Sequence, residues 1–300
     1  MTTQMKSLSA GEFRKKRPTG SDRMLTVGRH TGRWFLFGVL LFIFVTPLWS
    51  IVAAALSGGA VAPGQLVTIP DSMTLSNIVE AWTSERILRY FWNSMVMAGL
   101  GVPLQVLVSA LAAYALARKR FRGGAIVMLL ILATMMMPEE VIAIPLYLVL
   151  SDVPPFGVSL LNTYAGLILP VLGWAFSIFV LVKFMREVPV ELEEAARVDG
   201  AGDLTIFFRV ILPCVKPALG TVTVFGFLMI WDQYLLPLIV AEDTDMFTLQ
   251  IALLNLRQDD MISIAVVMSV ALLALLPSVI VYLALQRYFQ SGITAGSIKG

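Results

Sequence analysis

Long runs of apolar residues constrain the fold of this chain more than any other feature of its sequence. The longest runs reach the roughly 20 residues that a helix needs to cross about 30 Å of hydrocarbon. Inside a bilayer only helices and closed barrels satisfy the backbone, and no run alternates as barrel strands do. With 58% of its 300 residues hydrophobic and only 14% charged, the chain is predicted to be an all-α integral membrane protein.

The apolar runs predict six transmembrane helices. They lie at residues 34–56, 94–117, 125–150, 163–182, 218–240 and 262–285. The third run is interrupted at Pro138-Glu139-Glu140, where proline removes a backbone donor and bends a helix. This run is therefore either one kinked helix or two half-helices, and the count of six takes it as one.

The distribution of Lys and Arg predicts the orientation of these helices, because cytoplasmic connections carry an excess of both residues. With the N-terminus inside, 19 of the 22 Lys and Arg residues fall on the cytoplasmic side, against Arg86, Arg89 and Arg257 outside. Both termini are thus predicted to be cytoplasmic, as a basic tail over residues 1–33 and a second tail over 286–300. The six-helix domain spans 34–285, with outer loops at 57–93 and 241–261.

The sequence lacks the residues of common catalytic and nucleotide-binding sites. Its one histidine is His30, its one cysteine is Cys214, and no Gly-x-x-x-x-Gly-Lys-Ser/Thr loop occurs. Histidine-based triads, multi-histidine or cysteine-built metal sites and a P-loop are thereby excluded. We expect no enzyme, no bound cofactor or metal and no nucleic-acid partner, so the energy for any transport must come from a gradient or from a partner.

A charged insert at residues 187–217, between the fourth and fifth predicted spans, is predicted to form two short helices. Acidic residues favour a helix N-terminus and glycine favours its left-handed end, so a first helix of about nine residues should start near Glu191 and stop at Gly200. Asp203 is expected to cap the second helix, and Pro213 to end it. The physics alone leaves two alternatives open: an amphipathic loop on the membrane surface, or a docking site for a soluble partner.

The spacing in the insert resembles a known motif. Glu194-Ala195-Ala196, three residues, Gly200, nine residues and Val210-x-Leu212-Pro213 are similar to the EAA loop of ABC importer permeases, which usually has isoleucine where Val210 stands. Other segments resemble the maltose-type permeases of carbohydrate importers. They are Tyr90-Phe-Trp-Asn-Ser94, Pro145-Leu-Tyr147, Trp231-Asp-Gln-Tyr-Leu-Leu-Pro-Leu238 and the tail from Gln286 to Gly300.

The resemblance implies a type I ABC importer permease fold and a set of partners. The first short helix of the insert would dock into an ATPase subunit and receive its motion. The ATPase-coupling residues implied are Glu191, Glu194, Ala195, Ala196, Asp199, Gly200, Leu212 and Pro213. The partners would be a second homologous permease, an ATPase dimer that binds ATP and Mg²⁺, and an extracytoplasmic solute-binding protein facing Thr248-Leu-Gln250. The location implied is the bilayer of a bacterial cytoplasmic membrane.

Acidic residues inside predicted spans are the second group of candidates, because an ionisable side chain at depth is costly and usually faces a cavity or a partner. The translocation-pathway candidates are Glu139, Glu140, Trp231, Asp232, Gln233 and Tyr234. Aromatic and polar side chains together suit a sugar. Alternatively, Glu139 and Glu140 lie at a membrane–water boundary or form hydrogen bonds with the free backbone groups around Pro138.

The function expected is therefore alternating-access import of a sugar or sugar-like solute by one permease of a heterodimer. The alternative is a proton-coupled secondary transporter that uses Glu139, Glu140 or Asp232 as a relay.

Overall fold

The structure, a computed structural model, describes the backbone of residues 20–62, 67–258 and 262–295. Side chains are described for residues 32–286 apart from residue 85 and the two gaps between those ranges. The predictions for most of the N-terminal tail and for the last residues of the C-terminal tail lie outside the described residues.

The described residues form helices joined by short connections. In chain order the helices are α1 (Gly20–Ala55), α2 (Ser76–Thr83), α3 (Glu85–Arg118), α4 (Gly124–Thr134), α5 (Glu139–Ser151), α6 (Tyr164–Ile168), α7 (Ala175–Glu187), α8 (Glu191–Val198), α9 (Asp203–Ile206), α10 (Leu212–Cys214), α11 (Lys216–Trp231), α12 (Leu235–Val240), α13 (Leu249–Gln258) and α14 (Ile264–Ala295). Two 3-10 turns, Leu169–Val171 and Thr244–Met246, and a π-helical segment, Phe207–Ile211, complete the pattern.

Three helices are individually long and apolar enough to cross a membrane among the residues that the structure describes. They contain the segments Gly32–Ala55 of α1, Arg86–Arg118 of α3 and Ile264–Gln286 of α14. Three helix pairs are bent at short breaks, so up to six spans result if each bent pair is taken as one. The number of spans and the cytoplasmic location of both termini remain predictions.

The third predicted span is not one continuous helix. Its halves, α4 and α5, meet at an angle of 109°, because the chain at Pro138 leaves the helical conformation and proline disfavours helix in the residue before it. The half-helix alternative therefore describes this segment. Breaks also divide the fourth span, with a 41° bend before α7, and the fifth, where residues 232–234 separate α11 from α12.

The helix α3 lies at the centre of the bundle, packed against both α7 and α11. A close approach of α3 and α11 requires Gly226, because a Cβ there would stand 2.5 Å from the Gln105 Oε1 atom. Gln105 is fully buried, and its Nε2 donates to the hydroxyl of Ser177 on α7 at 2.7 Å. One polar residue thus links the three central helices.

The apolar surface of the first and fourth helices has few neighbours within the subunit. None of the most hydrophobic window of α1 is buried, and α4 has no buried residue. The main contact of α1 is with α14. These surfaces are consistent with contact to lipid or to another membrane subunit.

Candidate functional site

The first helix of the insert ends as the sequence predicts. It covers eight residues, Glu191–Val198, and Gly200 has a φ of +83°. The Gly200 N–H donates to the Arg197 carbonyl at 3.0 Å, and the Ala201 N–H donates to the Ala196 carbonyl at 2.9 Å. This pair of bonds is a Schellman motif, which satisfies carbonyls at the end of the helix. The prediction of a left-handed Gly200 is confirmed.

Most of the predicted coupling residues lie on the exposed surface of the insert. Glu191, Glu194, Ala195, Asp199, Gly200 and Pro213 are exposed, whereas Ala196 and Leu212 are half-buried. Three acidic residues in the first turn of α8, Glu191, Glu193 and Glu194, complement the positive end of the helix dipole. The exposed part of α8 thus carries two carboxylates, Glu191 and Glu194, beside the exposed side chains of Leu192, Arg197 and Val198.

Glu193 is the exception, because it is buried and faces the bundle. Its Oε1 lies 2.5 Å from the Arg118 Nε, and the two side chains are only 7% and 6% exposed. Arg118 also donates from Nη2 to the Val188 carbonyl at 2.6 Å. Arg197, which lies four residues after Glu193 on the same helix, is farther from it, at 3.9 Å. A buried ion pair therefore fastens the insert to the last turn of α3.

Sequence reasoning missed this ion pair. Arg118 belongs to the basic cluster that predicts orientation. Because that cluster already explains the presence of a basic residue there, the sequence does not indicate that Arg118 pairs with Glu193. The closeness of the end of the second span to the insert depends on tertiary packing, for which the sequence offers no periodic pattern.

The second part of the insert differs from the prediction in two respects. Asp203 does not cap the helix, because Gly202 is the capping residue. Asp203 instead pairs with the Lys119 Nζ at 2.5 Å and with the Arg197 Nη2 at 3.5 Å. The Lys119 ammonium, assisted by Arg197, holds the pKa of the Asp203 carboxyl below its ordinary value.

Pro213 does not end the second helix. The chain passes through the π segment and α10 to Cys214, and then turns by 83° into α11. Leu204, Phe207, Phe208 and Ile211 have the i, i+3, i+4, i+7 spacing of one helical face, but only Phe207 and Ile211 are buried, whereas Leu204 and Phe208 are exposed. The π-helical turn at Phe207–Ile211 changes the helical period, which explains why only two of these four residues are buried.

The breaks in three helices meet at one cavity of about 330 Å³. The wall includes Met137 and Glu139 from the α4–α5 break, Trp174 from the break before α7, and Gln233 from the α11–α12 break. Broken helices at membrane depth are tolerated where they line a cavity, because water or solute can satisfy the freed backbone groups. The convergence of the three breaks is therefore a feature typical of a transport path.

Two of the predicted pathway residues lie together at this cavity. The Gln233 Nε2 is 3.5 Å from the Glu139 Oε2, and Glu139 is the first residue of α5. Glu140, Asp232 and Tyr234 are exposed but do not line the cavity. Asp232 accepts a bond of 3.4 Å from the Gln250 Nε2, so its contact is with the segment predicted to face the binding protein.

Trp231 occupies the core of the subunit, and this corrects the expectation that it faces the cavity. It is 2% exposed, its Nε1 donates to the Ala274 carbonyl at 2.9 Å, and its ring stacks on Phe227 with a centroid distance of 5.6 Å. The indole therefore anchors the end of α11 against α14. Trp174, which no sequence pattern singled out, is the tryptophan on the cavity wall.

On the side of the bundle opposite the insert, α3 holds the segment that follows α12. Asn93 donates from Nδ2 to the carbonyls of Asp245 and Phe247 at 2.8 and 2.9 Å, and its Oδ1 accepts from the Tyr164 hydroxyl at 2.7 Å. The Ser94 Oγ accepts from the Leu249 N–H at 2.9 Å, which satisfies a free donor at the start of α13. Both Asn93 and Ser94 are buried.

Comparison with known proteins identifies the family. The profile of the family described as "Binding-protein-dependent transport system inner membrane component" matches residues 105–295. The chain belongs to this family. The match includes the insert, the cavity and part of α3, so the chain is a multi-pass membrane permease and a component of a transport system.

Relatives of similar length are named as permease proteins. The chain is 31% identical over 281 residues to an arabinooligosaccharide transport system permease of Halalkalibacterium halodurans, covering 92% of this chain and 96% of the relative. It is 31% identical over 263 residues to a diacetylchitobiose uptake permease of Streptomyces coelicolor, covering 86% and 85%. It is 34% identical over 272 residues to an sn-glycerol-3-phosphate permease of Yersinia pestis, covering 86% and 92%.

Solved structures agree with this assignment. A chain of a bacterial ABC transporter that imports the acidic polysaccharide alginate matches with a TM-score of 0.75 and 25% identity, covering 90% of this permease and 98% of that chain. A chain of an alginate transporter in complex with a pentasaccharide-bound periplasmic protein matches with a TM-score of 0.60 and 15% identity, covering 88% and 94%, which supports the fold alone. The fold is that of the type I ABC importer permeases.

Proposed function

We propose that this chain is one permease subunit of an ATP-driven, binding-protein-dependent sugar importer in a bacterial cytoplasmic membrane. Its partners are a second homologous permease, two ATPase subunits that bind ATP and Mg²⁺, and an extracytoplasmic solute-binding protein. The observation that carries the proposal is α8, an eight-residue acidic helix that is exposed on one side and fastened to the bundle by a buried ion pair on the other.

The anchoring of α8 supports the docking alternative over a surface-lying amphipathic loop. A helix of eight residues is marginal in water and needs tertiary contacts to persist. Here a charged pair joins the helix to the bundle, while the outward side carries the carboxylates of Glu191 and Glu194 beside the exposed side chains of Leu192 and Val198. Carboxylates are unfavourable against anionic lipid headgroups, and a surface that mixes carboxylates with exposed apolar side chains fits a protein partner better.

Import of a sugar is supported by the named substrates of the relatives and by the chemistry of the cavity. Glu139 and Gln233 offer hydrogen-bond acceptors and donors for hydroxyl groups, and Trp174 offers an aromatic ring. Among the described residues that line the cavity, none is Lys or Arg. This wall therefore favours an uncharged sugar over an anionic one, because a carboxylate beside an anion is repulsive.

The decisive experiment replaces Glu194 by Lys in the complex purified with its partner permease and ATPase subunits. We expect Glu194→Lys to abolish ATP-dependent uptake while the chain still inserts in the membrane, because the charge reversal lies on the exposed surface of α8. Glu187→Lys, an exposed residue outside α8, is the matched control. Normal uptake by Glu194→Lys would contradict the coupling assignment.

The proton-coupled alternative predicts a different energy source. A carrier that uses Glu139, Glu140 or Asp232 as a relay would lose uptake with a protonophore and keep it after ATP depletion. For the proposed importer we expect the opposite result: uptake stops on ATP depletion and survives the protonophore when ATP is held constant.

A further inference from the structure

We propose that α3 carries the movement of the insert to the outer segment 242–249, with Arg118 and Asn93 as the positioning residues at its two ends. This inference rests on the proposed function, because it concerns how an ATPase that docks on α8 would alter the opposite face of the permease.

The first step is continuity. The insert is joined covalently to α7 and, through α10, to α11, but both helices stop at breaks beside the cavity, at Trp174 and at Asp232. In contrast, α3 is one unbroken helix of 34 residues, with Pro103 inside it, or about 51 Å at 1.5 Å per residue. A force applied at the insert therefore reaches the far side of the bundle through α3 without passing a helix break.

The second step is the connection at the insert. Arg118 is the last residue of α3 and holds the buried Glu193 of α8 together with the Val188 carbonyl. Both side chains are shielded from water, so separating them would leave two buried charges without a partner, which costs free energy. The neighbouring Lys119–Asp203 pair is more exposed, at 33% and 60%, and contributes less.

The third step is the connection at the other end. Asn93 and Ser94, near the start of α3, bind the segment 242–249 through three hydrogen bonds to main-chain atoms. The Tyr164 hydroxyl completes the hydrogen bonding of the Asn93 amide. This segment contains Thr248 and Leu249, which resemble the residues that face the binding protein. A displacement of α3 must therefore displace this segment or break buried bonds.

Between its two ends, α3 is packed so closely against α7 and α11 that the three helices are expected to move together. The fully buried Gln105 side chain binds Ser177 of α7 and fills the space that Gly226 leaves on α11. Closely packed interiors transmit displacement because they have few voids to absorb it. The central helices are thus expected to shift as one body, with α3 as the member that spans both faces.

The test measures the outer segment while the ATPase is trapped. In a Cys214→Ser background, Thr244→Cys places a reporter thiol on an exposed position of the outer segment. The complex with its partner permease and ATPase subunits is reconstituted in nanodiscs, and the rate of maleimide labelling is compared without nucleotide and after trapping with Mg-ATP and vanadate. We expect the rate in the unmodified complex to change between the two states.

Uncoupling variants should remove this change from complexes that still trap vanadate. Glu193→Gln at one end and Asn93→Asp at the other are each expected to reduce the ratio of the two labelling rates toward one, a loss of roughly tenfold in coupling. The matched controls are Glu187→Gln and Arg86→Gln, which alter exposed charges near the same ends, and both should retain the ratio.

The outcomes separate the inference from the proposed function. A merely structural role would lower the yield of assembled complex but leave the ratio unchanged in the molecules that trap vanadate. If Glu193→Gln prevents assembly, Arg118→Lys keeps the buried positive charge and allows the same measurement. Two results would overturn the inference. One is an unchanged ratio at both ends, that is, in Asn93→Asp and in whichever of Glu193→Gln and Arg118→Lys assembles. The other is trapping of the unmodified complex without any change in its labelling rate. Absence of vanadate-sensitive ATPase from every purified complex would instead contradict the proposed function.

Discussion

Gly200 is the residue whose backbone conformation most directly shapes the insert. Its φ of +83° lies in the left-handed region, and a Cβ built there meets no atom within 4 Å. A side chain at this position is therefore opposed by the backbone conformation and not by a clash.

We expect Gly200→Val to destabilise the end of α8 by about 1–2 kcal/mol and to reduce ATP-dependent uptake at least severalfold. Gly200→Asn should retain most of the uptake, because asparagine tolerates the left-handed conformation. Uptake into proteoliposomes, normalised to the amount of inserted protein, measures both effects.

A matched control lies two residues away. A Cβ added at Gly202 would also meet no atom within 4 Å, but the Gly202 φ of −77° suits any residue. Gly202→Thr should therefore leave uptake near the unmodified level, because threonine has about the bulk of valine and caps a helix as well as glycine does. Equal losses in Gly200→Val and Gly202→Thr would indicate that bulk on the surface of the insert matters, and not the left-handed turn.

At the scale of elements, the contact of α3 with α11 depends on the absence of a side chain at Gly226. We expect Gly226→Ala to destabilise the protein by about 1–3 kcal/mol, because the added methyl group would displace the buried Gln105 amide. Gly99→Ala on the exposed side of α3, where a Cβ meets nothing within 4 Å, should be neutral. Thermal unfolding in detergent provides the comparison.

The same argument predicts a second-site rescue. Gln105→Ala removes the atoms that the new methyl group would meet, so the double variant Gly226→Ala with Gln105→Ala should be more stable than additivity of the two single changes predicts. Strict additivity of the two changes in stability would show that contact with Gln105 is not the reason why Gly226→Ala destabilises the protein.

The cavity formed by the helix breaks predicts which side chains matter for the solute. Gln233→Leu and Glu139→Leu should each lower uptake of an uncharged oligosaccharide by about 10–100-fold, since loss of a charged or well-placed hydrogen bond costs about 1.5–3 kcal/mol. Glu140→Leu is the matched control, because Glu140 follows Glu139 directly but does not line the cavity. Equal losses for Glu139 and Glu140 would argue against this cavity as the path.

Across the whole molecule, the charge distribution predicts both termini in the cytoplasm. In the Cys214→Ser background, we expect Arg122→Cys to react with a membrane-impermeant maleimide only after the membrane is opened, and Asp243→Cys to react in intact spheroplasts. Both positions are exposed. Labelling of Arg122→Cys from outside would reverse the predicted orientation and place the insert on the wrong side for an ATPase.

Patterns local in sequence predicted much of this fold, and contacts distant in sequence account for the differences. Apolar length indicates the membrane helices, and Gly200 ends α8 because its conformation depends on its immediate neighbours. The burial of Glu193 depends on Arg118, 75 positions earlier in the chain, and no local pattern contains that information. The same holds for Trp231, whose aromatic and polar neighbours suggested a sugar contact until its bond to Ala274 placed it in the core.

The first helix has a consequence for the chain when it is expressed alone. None of the most hydrophobic window of α1 is buried within the subunit, although α1 does contact α14. The rest of its apolar surface is left to lipid or to another membrane subunit. If the proposed second permease covers this surface, a lipid-borne photoreactive probe should label α1 more strongly in the chain expressed alone than in the assembled importer.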